Sequence, residues 1–315
     1  MRNYILRRLL WAIPTLFLMT LILFLLVNWL PGDIVTRQLA GSGLSQEAID
    51  DYKTEIGLNR PVLVQYFEWL GGVIRLDFGE SILSKRSVVD ELEQRAPATL
   101  TLGILGLGLA MVIAIPLGVI SAIRPNTVVD YIARFLAIIG LSIPNFVVGV
   151  VLILFTSKYL GFFPGVGFVR PWDDPIRSLE LMWMPVVVIG LVGSAATARM
   201  IRSTLLEVLH SDYIRTAWAK GLKERAVVTR HAIKNSLIPV VTIIGLQART
   251  IIGGLVIIEV LFTIPGMGQL LVQSVTSRDL VPMQSVVLIF AISTILINLL
   301  LDISYSWLDP RIRQT

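Results

Sequence analysis

The sequence of 315 residues contains no cysteine and only two histidines. The missing cysteines exclude disulfide bonds, thiolate catalysis and Cys-ligated metals, and two imidazoles offer little for a His-rich metal site. The dipeptide Gly-Lys does not occur either, so the chain lacks the phosphate-binding loop G-x-x-x-x-G-K-[ST]. The motifs G-x-S-x-G and H-E-x-x-H are also missing. We therefore expect this chain to carry no catalytic residues and to bind no metal or cofactor.

Charged residues are scarce, at 16% of the chain, whereas a soluble domain carries about 25%. Hydrophobic residues make up 55%, and the mean hydropathy is +0.76. In a soluble protein the net charge of +5 would be consistent with nucleic-acid binding. Here the apolar residues form long uninterrupted blocks, so the composition predicts lipid as the partner, and not nucleic acid. The class is an integral membrane protein.

Six blocks are long enough to cross a bilayer, which takes about 20 apolar residues. Five are free of charge over 24, 28, 23, 18 and 22 residues, and one is interrupted by Arg249 and Glu259. The first block follows three arginines, as in a signal peptide, but it is too long and lacks a small-residue cleavage site, so we expect a retained span. The predicted spans are 1–32, about 98–123, 135–157, 181–198, 236–262 and 281–301.

The distribution of basic residues predicts the orientation of the chain. With the N-terminus inside, the cytoplasmic segments hold 15 Lys and Arg and the outer segments hold 11, of which seven lie in the long loop 33–95. Long loops carry little weight in the positive-inside rule, so the basic residues of the short loops determine the predicted orientation. We expect both termini in the cytoplasm.

The outer segment 33–95 contains two amphipathic stretches. Ser45 can cap a short helix, and a second stretch, Val62–Leu70, is expected to end at the pair Gly71-Gly72. Two interpretations remain open for this segment. It is either a folded loop resting on the membrane surface, or a lid or docking surface for an extracytoplasmic partner.

Segment 199–235 is the largest predicted cytoplasmic feature. It is expected to form three helices, Arg199–Leu209, Asp212–Lys220 and Lys223–Asn235, with Gly221 supplying the turn after the second. A basic inner loop satisfies the positive-inside rule and needs no further explanation. A helical loop of 37 residues with alternating charges is nevertheless more than topology requires, which indicates a rigid projection that contacts another protein.

Arg249 lies near the middle of the fifth predicted span, where an arginine costs about 2.5–3.5 kcal/mol in lipid. Glu259 follows about 15 Å along the helix and roughly 80° around it, so the two side chains cannot pair. Arg249 either makes a buried interhelical hydrogen bond or lies on a translocation path, and both remain open. Glu259, near the outer end, is expected to make a structural or gating contact. Gln247 and Asn145, beside the kink expected at Pro144, are further candidate polar points of the path.

A set of short motifs runs in order along the whole chain. They are Y-I-L-R-R-L-L at 4–10, L-P-G-D at 30–33, G-L-N-R-P at 57–61, L-D-F-G at 76–79, A-P-A-T-L at 96–100, D-Y-I-R-T-A-W-A-K-G-L at 212–222, R-H-A-I-K-N at 230–235 and L-D-P-R-I-R at 308–313. Together they resemble the B-type permease of the dipeptide, oligopeptide and nickel branch of ATP-binding-cassette (ABC) importers. A single tetrapeptide would be weak evidence for the family, but this many motifs in the same order make the resemblance specific.

The resemblance implies the type I importer fold: an all-α integral membrane protein with six transmembrane helices, a cytoplasmic coupling helix and a helical extracytoplasmic first loop. It divides the chain into a first span 1–32, the loop 33–95 and a permease core 96–315. The residues that would contact the ATPase are Arg215, Thr216, Ala217, Lys220, Gly221, Glu224 and His231.

The sequence departs from broader family patterns in two regions. The general permease signature, Glu-Ala-Ala followed by three residues and glycine, falls on Arg215-Thr216-Ala217 and Gly221, so only the second alanine and the glycine are kept. This form of the signature matches the peptide branch, so it favours that branch over other ABC importer permeases. Small or apolar residues are commoner at the position of Arg249, so no family role carries over to it.

The resemblance also implies function and partners. The chain is expected to be a non-catalytic permease for short peptides that pairs, as a heterodimer, with a second homologous permease. Two cytoplasmic ATPases would bind ATP and Mg²⁺, and an extracytoplasmic substrate-binding protein would deliver the substrate. Nickel chelates, glutathione, haem and oligosaccharides are carried by relatives and stay open as alternatives. A secondary carrier and a structural membrane subunit of an enzyme are the rival classes. The expected location is a bacterial or archaeal cytoplasmic membrane.

Overall fold

The computed structural model describes residues 2–28, 54 and 59–308, and these form a helical bundle. The main helices are α1 Arg2–Asn28, α2 Val62–Ile74, α3 Val88–Ile123, α4 Val128–Ser142, α5 Asn145–Leu160, α6 Pro175–Leu209, α7 Asp212–Ala219, α8 Ile233–Leu261, α9 Met267–Ser277 and α10 Leu280–Leu308. A one-turn helix, Glu224–Ala226, and a π-helical segment, Val227–Ala232, connect α7 to α8.

Within the described residues, five helices are long and apolar enough to cross a membrane, namely α1, α3, α6, α8 and α10. Helices α4 and α5 form a sixth candidate span. Helices α3 and α6 have 36 and 35 residues and are therefore about 50 Å long, well beyond the ~30 Å hydrocarbon core. Sequence hydropathy finds only their apolar parts, 98–123 of α3 and 181–198 of α6, because a helix does not end where its side chains become polar.

The third predicted span, 135–157, is not one continuous helix. Helices α4 and α5 meet at an angle of 104° around Ile143-Pro144. The Pro144 ring removes a backbone N–H and disfavours helical geometry at the residue before it, and Ile143 is extended at φ −101°, ψ 124°. The kink expected at Pro144 is therefore a complete break.

Close packing of α3 against α6 forms the centre of the bundle. Gly106 lies against Ile189, and Gly190 lies against Leu109, so closely that an added Cβ would overlap the facing side chain at either position. Small residues at an interface let transmembrane helices approach closely enough for van der Waals packing to hold them. Leu102, Val188 and Ile258 continue this core onto α8.

The segment before α3 folds back onto the first span. Tyr66 of α2 is buried against Phe17 and Phe24 of α1, and its hydroxyl lies 2.9 Å from Thr20 Oγ1. Helix α2 begins where the sequence predicts but runs through Gly71-Gly72 to Ile74, since two glycines weaken a packed helix without ending it. The helix expected to begin at Ser45 lies outside the described residues.

Candidate coupling surface and transmembrane path

The region 199–235 is less of a separate loop than its charges suggest. The first predicted helix, Arg199–Leu209, is the continuous end of α6. The third, Lys223–Asn235, is the one-turn helix, the π-helical segment and the beginning of α8, with no break before the next span. No glycine or proline lies between Leu222 and Pro239 to interrupt it. Only α7 stands apart from the long helices.

Helix α7 is held by a small apolar cluster at the ends of two spans. Ile214 is fully buried and Ala217 nearly so, and both pack with Ala122 of α3 and Leu205 of α6. Val227 of the π-helical segment completes the cluster. These contacts pack α7 into one apolar cluster with the ends of α3 and α6.

The opposite face of α7 is exposed and polar. The side chain of Arg215 is 77% exposed, and Trp218 is exposed beside it. Five of the residues predicted to contact an ATPase lie on the exposed side of this segment: Arg215, Thr216, Lys220, Gly221 and Glu224. Ala217 faces inward with the anchoring cluster, and the side chain of His231 lies outside the described residues. Helix α7 is therefore anchored on one face and exposed to solvent on the other.

Gly221 determines how the chain leaves α7. Its φ is +79°, in the left-handed region, and its N–H donates to the Trp218 carbonyl at 2.9 Å. The Leu222 N–H donates to the Ala217 carbonyl at 3.4 Å, so the two bonds close the end of the helix in the manner of a Schellman motif. No heavy atom lies within 4 Å of an added Cβ, so backbone conformation and not space requires glycine here.

A buried ion pair lies beside the anchor of α7. Asp130, in the first turn of α4, is fully buried, and its carboxylate accepts from Arg202 of α6 at 2.6 Å and 2.9 Å. Ser121 of α3 and the Asn126 N–H donate to the same carboxylate. This cluster, the Asp130 clamp, joins α3, α4 and α6 at the end that carries α7.

Glu259 lies at the other end of α3 and is also fully buried. Its carboxylate accepts from Thr99 Oγ1 at 2.6 Å and from the Gln269 N–H in the first turn of α9 at 3.0 Å. The Met267 N–H donates in turn to Thr99 Oγ1 at 2.8 Å. Glu259 therefore joins α3, α8 and the N-terminus of α9 through neutral donors, a favourable position for a carboxylate.

The remaining candidate path residues lie on or near α8 but are not gathered in one place. Gln247 faces Gly193 of α6, and Asn145, at the first turn of α5, lies near Gly254. Arg249 is exposed, and it makes no hydrogen bond or ion pair with the part of the chain that the structure describes. The buried interhelical bond considered for Arg249 is thus not formed within these residues. Glu259 points into its own network, away from the other three.

The Asp130 clamp is the feature that sequence reasoning missed. Its two halves, Asp130 and Arg202, are 72 residues apart, and no spacing rule joins them. One local signal was available: Thr127 and Asp130 form the T-x-x-D pattern of a helix start, and the Thr127 side chain accepts from the Asp130 N–H at 3.4 Å. Among the described residues, no group of three or more His, Asp or Glu side chains could hold a metal ion.

These features define a polytopic, helical membrane protein with an exposed short helix, α7, at one end of its bundle. Residues 114–314 match the family described as the binding-protein-dependent transport system inner membrane component, and residues 1–103 match the N-terminal family of the same membrane component. The chain belongs to this family. It is a multi-pass inner-membrane permease, as the motifs in its sequence predict.

Two relatives match over almost the whole chain. It is 41% identical over 315 residues to the oligopeptide transport system permease protein AppB of Bacillus subtilis (strain 168), and the match covers 99% of each chain. It is 38% identical over 313 residues to the glutathione transport system permease protein GsiC of Escherichia coli (strain K12), again over 99% of each chain.

The fold is similar to that of a solved ABC transporter. A chain of the MetNI methionine ABC transporter in an inward-facing conformation superposes with a TM-score of 0.56 at 20% identity, covering 70% of this chain and 96% of that chain. The predicted fold class, the type I ABC importer permease, is thereby confirmed.

Proposed function

We propose that this chain is the permease subunit of a binding-protein-dependent ABC importer for short peptides. The similarity to AppB and GsiC over 99% of the chain supports a peptide substrate, because glutathione is itself a short peptide. Nickel chelates, haem and oligosaccharides are less favoured, since none occurs in the names of these relatives. The chain forms half of the translocation path and performs no chemistry itself.

The proposed assembly contains a second, homologous permease subunit, two cytoplasmic ATPases and an extracytoplasmic substrate-binding protein. ATP and Mg²⁺ would be bound by the ATPases, in keeping with the missing Gly-Lys in this sequence. Both termini would lie in the cytoplasm of a bacterial or archaeal cell. The ion pair between Arg8 of α1 and Asp302 of α10, at 2.9 Å, supports this topology because it holds the two ends of the chain on the same side.

The observation that carries the coupling role is the two-sided character of α7. Ile214 and Ala217 fix it to the ends of α3 and α6, and Arg215 and Trp218 face outward. A push on the outer face is passed to two transmembrane helices at once. We propose that ATP-driven closure of the ATPases acts on this face and so changes access to the path from inward to outward.

Substitution of Gly221 tests the coupling role. In G221W the backbone at position 221 must keep its left-handed conformation, which costs a residue other than glycine roughly 1–2 kcal/mol. The new indole ring would also lie next to α7. We expect ATP-dependent peptide uptake and substrate-stimulated ATPase activity in proteoliposomes to fall at least about tenfold, while the complex still purifies intact.

Gly161, at the end of α5, supplies a matched control. Its φ is +62° and an added Cβ would meet no heavy atom within 4 Å, so G161W imposes the same backbone cost far from α7. It should keep uptake within about twofold of wild type. Normal transport by G221W, or equal loss in both variants, would contradict the coupling role.

A further inference from the structure

Arg249 occupies a continuous exposed face of α8. Leu246, Arg249, Thr250, Gly253, Ile257 and Val260 are all exposed, and their spacing of three and four residues places them along one side of the helix. We call this set the exposed stripe. The opposite side of α8 is buried, with Ile251, Leu255 and Ile258 in the central core.

The depth of Arg249 excludes a lipid-facing position. The apolar part of α8 is Pro239–Leu261, so Arg249 lies ten residues from one end and twelve from the other, at the middle of the span. At about 1.5 Å per residue, its guanidinium is too far from either surface for its side chain to reach the headgroups easily. A charged group at this depth faces protein or a water-filled cavity. The exposed stripe therefore borders the inside of the assembled transporter.

The surroundings of Arg249 leave room for a ligand. Gly253, one turn along the exposed stripe, has no heavy atom within 4 Å of where a Cβ would be. The nearest bend of the broken third span, at Ile143-Pro144, brings Asn145 beside the adjacent Gly254. The other residues of the stripe are apolar except for the neutral Thr250, so Arg249 supplies its only formal charge.

From this placement we propose that Arg249 is a specificity residue that attracts the carboxylate side chains of transported acidic peptides at mid-membrane. The proposal rests on the proposed function and adds a preference for peptides with acidic side chains. A guanidinium recognises a carboxylate by charge-assisted hydrogen bonds, which are strong where water is scarce. The uncharged remainder of the exposed stripe does not distinguish acidic from neutral peptides in this way.

The test compares two peptides of nearly equal size, Ala-Glu-Ala and Ala-Gln-Ala, in the complete importer reconstituted with its binding protein. Uptake by R249Q is divided by uptake by wild type for each peptide, so that any selectivity of the shared binding protein cancels. We expect the ratio for Ala-Glu-Ala to fall about tenfold and that for Ala-Gln-Ala to fall less than about threefold. R249K keeps the charge and should retain the wild-type preference.

Ile257→Gln is the matched control, because it places the same amide on the exposed stripe two turns away. It should affect both peptides equally. Equal losses for both peptides in R249Q would overturn the proposal and assign Arg249 to packing or to the partner permease. If R249Q does not assemble, R249K provides the test. A changed preference between the two peptides in R249K would also overturn the proposal. A wild-type importer that takes up neither peptide would instead refute the proposed function, and the inference with it.

Discussion

Asp130 and Glu259 are both fully buried carboxylates, and they lie at opposite ends of α3. They are compensated in different ways. Asp130 is bound by the guanidinium of Arg202, whereas Glu259 accepts hydrogen bonds from a hydroxyl and a backbone N–H. Each joins three helical elements, but only the Asp130 clamp does so through an opposite charge.

The comparison shows that the type of partner of a buried carboxylate determines how much stability is lost when that partner is removed. Removal of one member of a buried ion pair leaves the other charge without compensation, while loss of one neutral donor or acceptor leaves a single unsatisfied dipole. The end that carries α7 is therefore the more sensitive of the two. Three substitutions measure this contrast.

The largest effect is expected from R202M. It removes the guanidinium that is hydrogen-bonded to the buried Asp130 carboxylate and leaves Arg134 of α4, 3.4 Å away, as the remaining nearby positive charge. We therefore expect a loss of about 3 kcal/mol in the free energy of unfolding, at the lower end of the range for a broken buried ion pair. SDS-induced unfolding of the purified protein would measure it. In D130L/R202M both members of the pair are gone, and the remaining Arg134 is partly exposed to solvent, so stability should recover in large part. A double variant as unstable as R202M would show that the ion pair is not the source of the loss.

E259Q should have an intermediate effect. The amide keeps one acceptor oxygen. Its NH₂ group either faces the Gln269 N–H or donates to Thr99 Oγ1, so either the Gln269 N–H or the Thr99 hydroxyl proton loses its acceptor. We expect a loss of about 1–3 kcal/mol in the same unfolding assay. A loss as large as that of R202M would mean that Glu259 is held by more than these neutral donors.

E180Q should have the smallest effect. Glu180 pairs with Arg177 at 2.8 Å, but both side chains are more than half exposed. Surface ion pairs contribute about 0–1 kcal/mol, and about 1 M salt should abolish even that. A cost comparable to that of E259Q would contradict the distinction between buried and exposed carboxylates on which the comparison depends.

Much of the fold follows from the sequence because a bilayer imposes simple rules. Each apolar block of about 20 residues must be helical, which is why the spans around α1 and α10 were predicted from hydropathy alone. The peptide-branch motif at 212–222 also predicted α7 and its glycine turn, since both are local features.

The rest depends on contacts between distant residues. The Asp130 clamp joins positions 72 residues apart, and the Glu259 network joins positions 160 residues apart. Hydropathy predicts neither of these contacts, because it gives a buried charged residue the same value as an exposed one. The same limit applies to Arg249, whose sequence position gives its depth but not the face of α8 on which it lies.

The ion pair between Arg8 and Asp302 has a consequence for biosynthesis. Helix α1 packs mainly on α10 and α2, and the two members of the pair are separated by 294 residues. At roughly 5–20 residues per second, the ribosome needs about 15–60 seconds to make the segment between them. Helix α1 can therefore pack on α2 early in synthesis, whereas its contact with α10 and the Arg8–Asp302 pair can form only after the last span has been made.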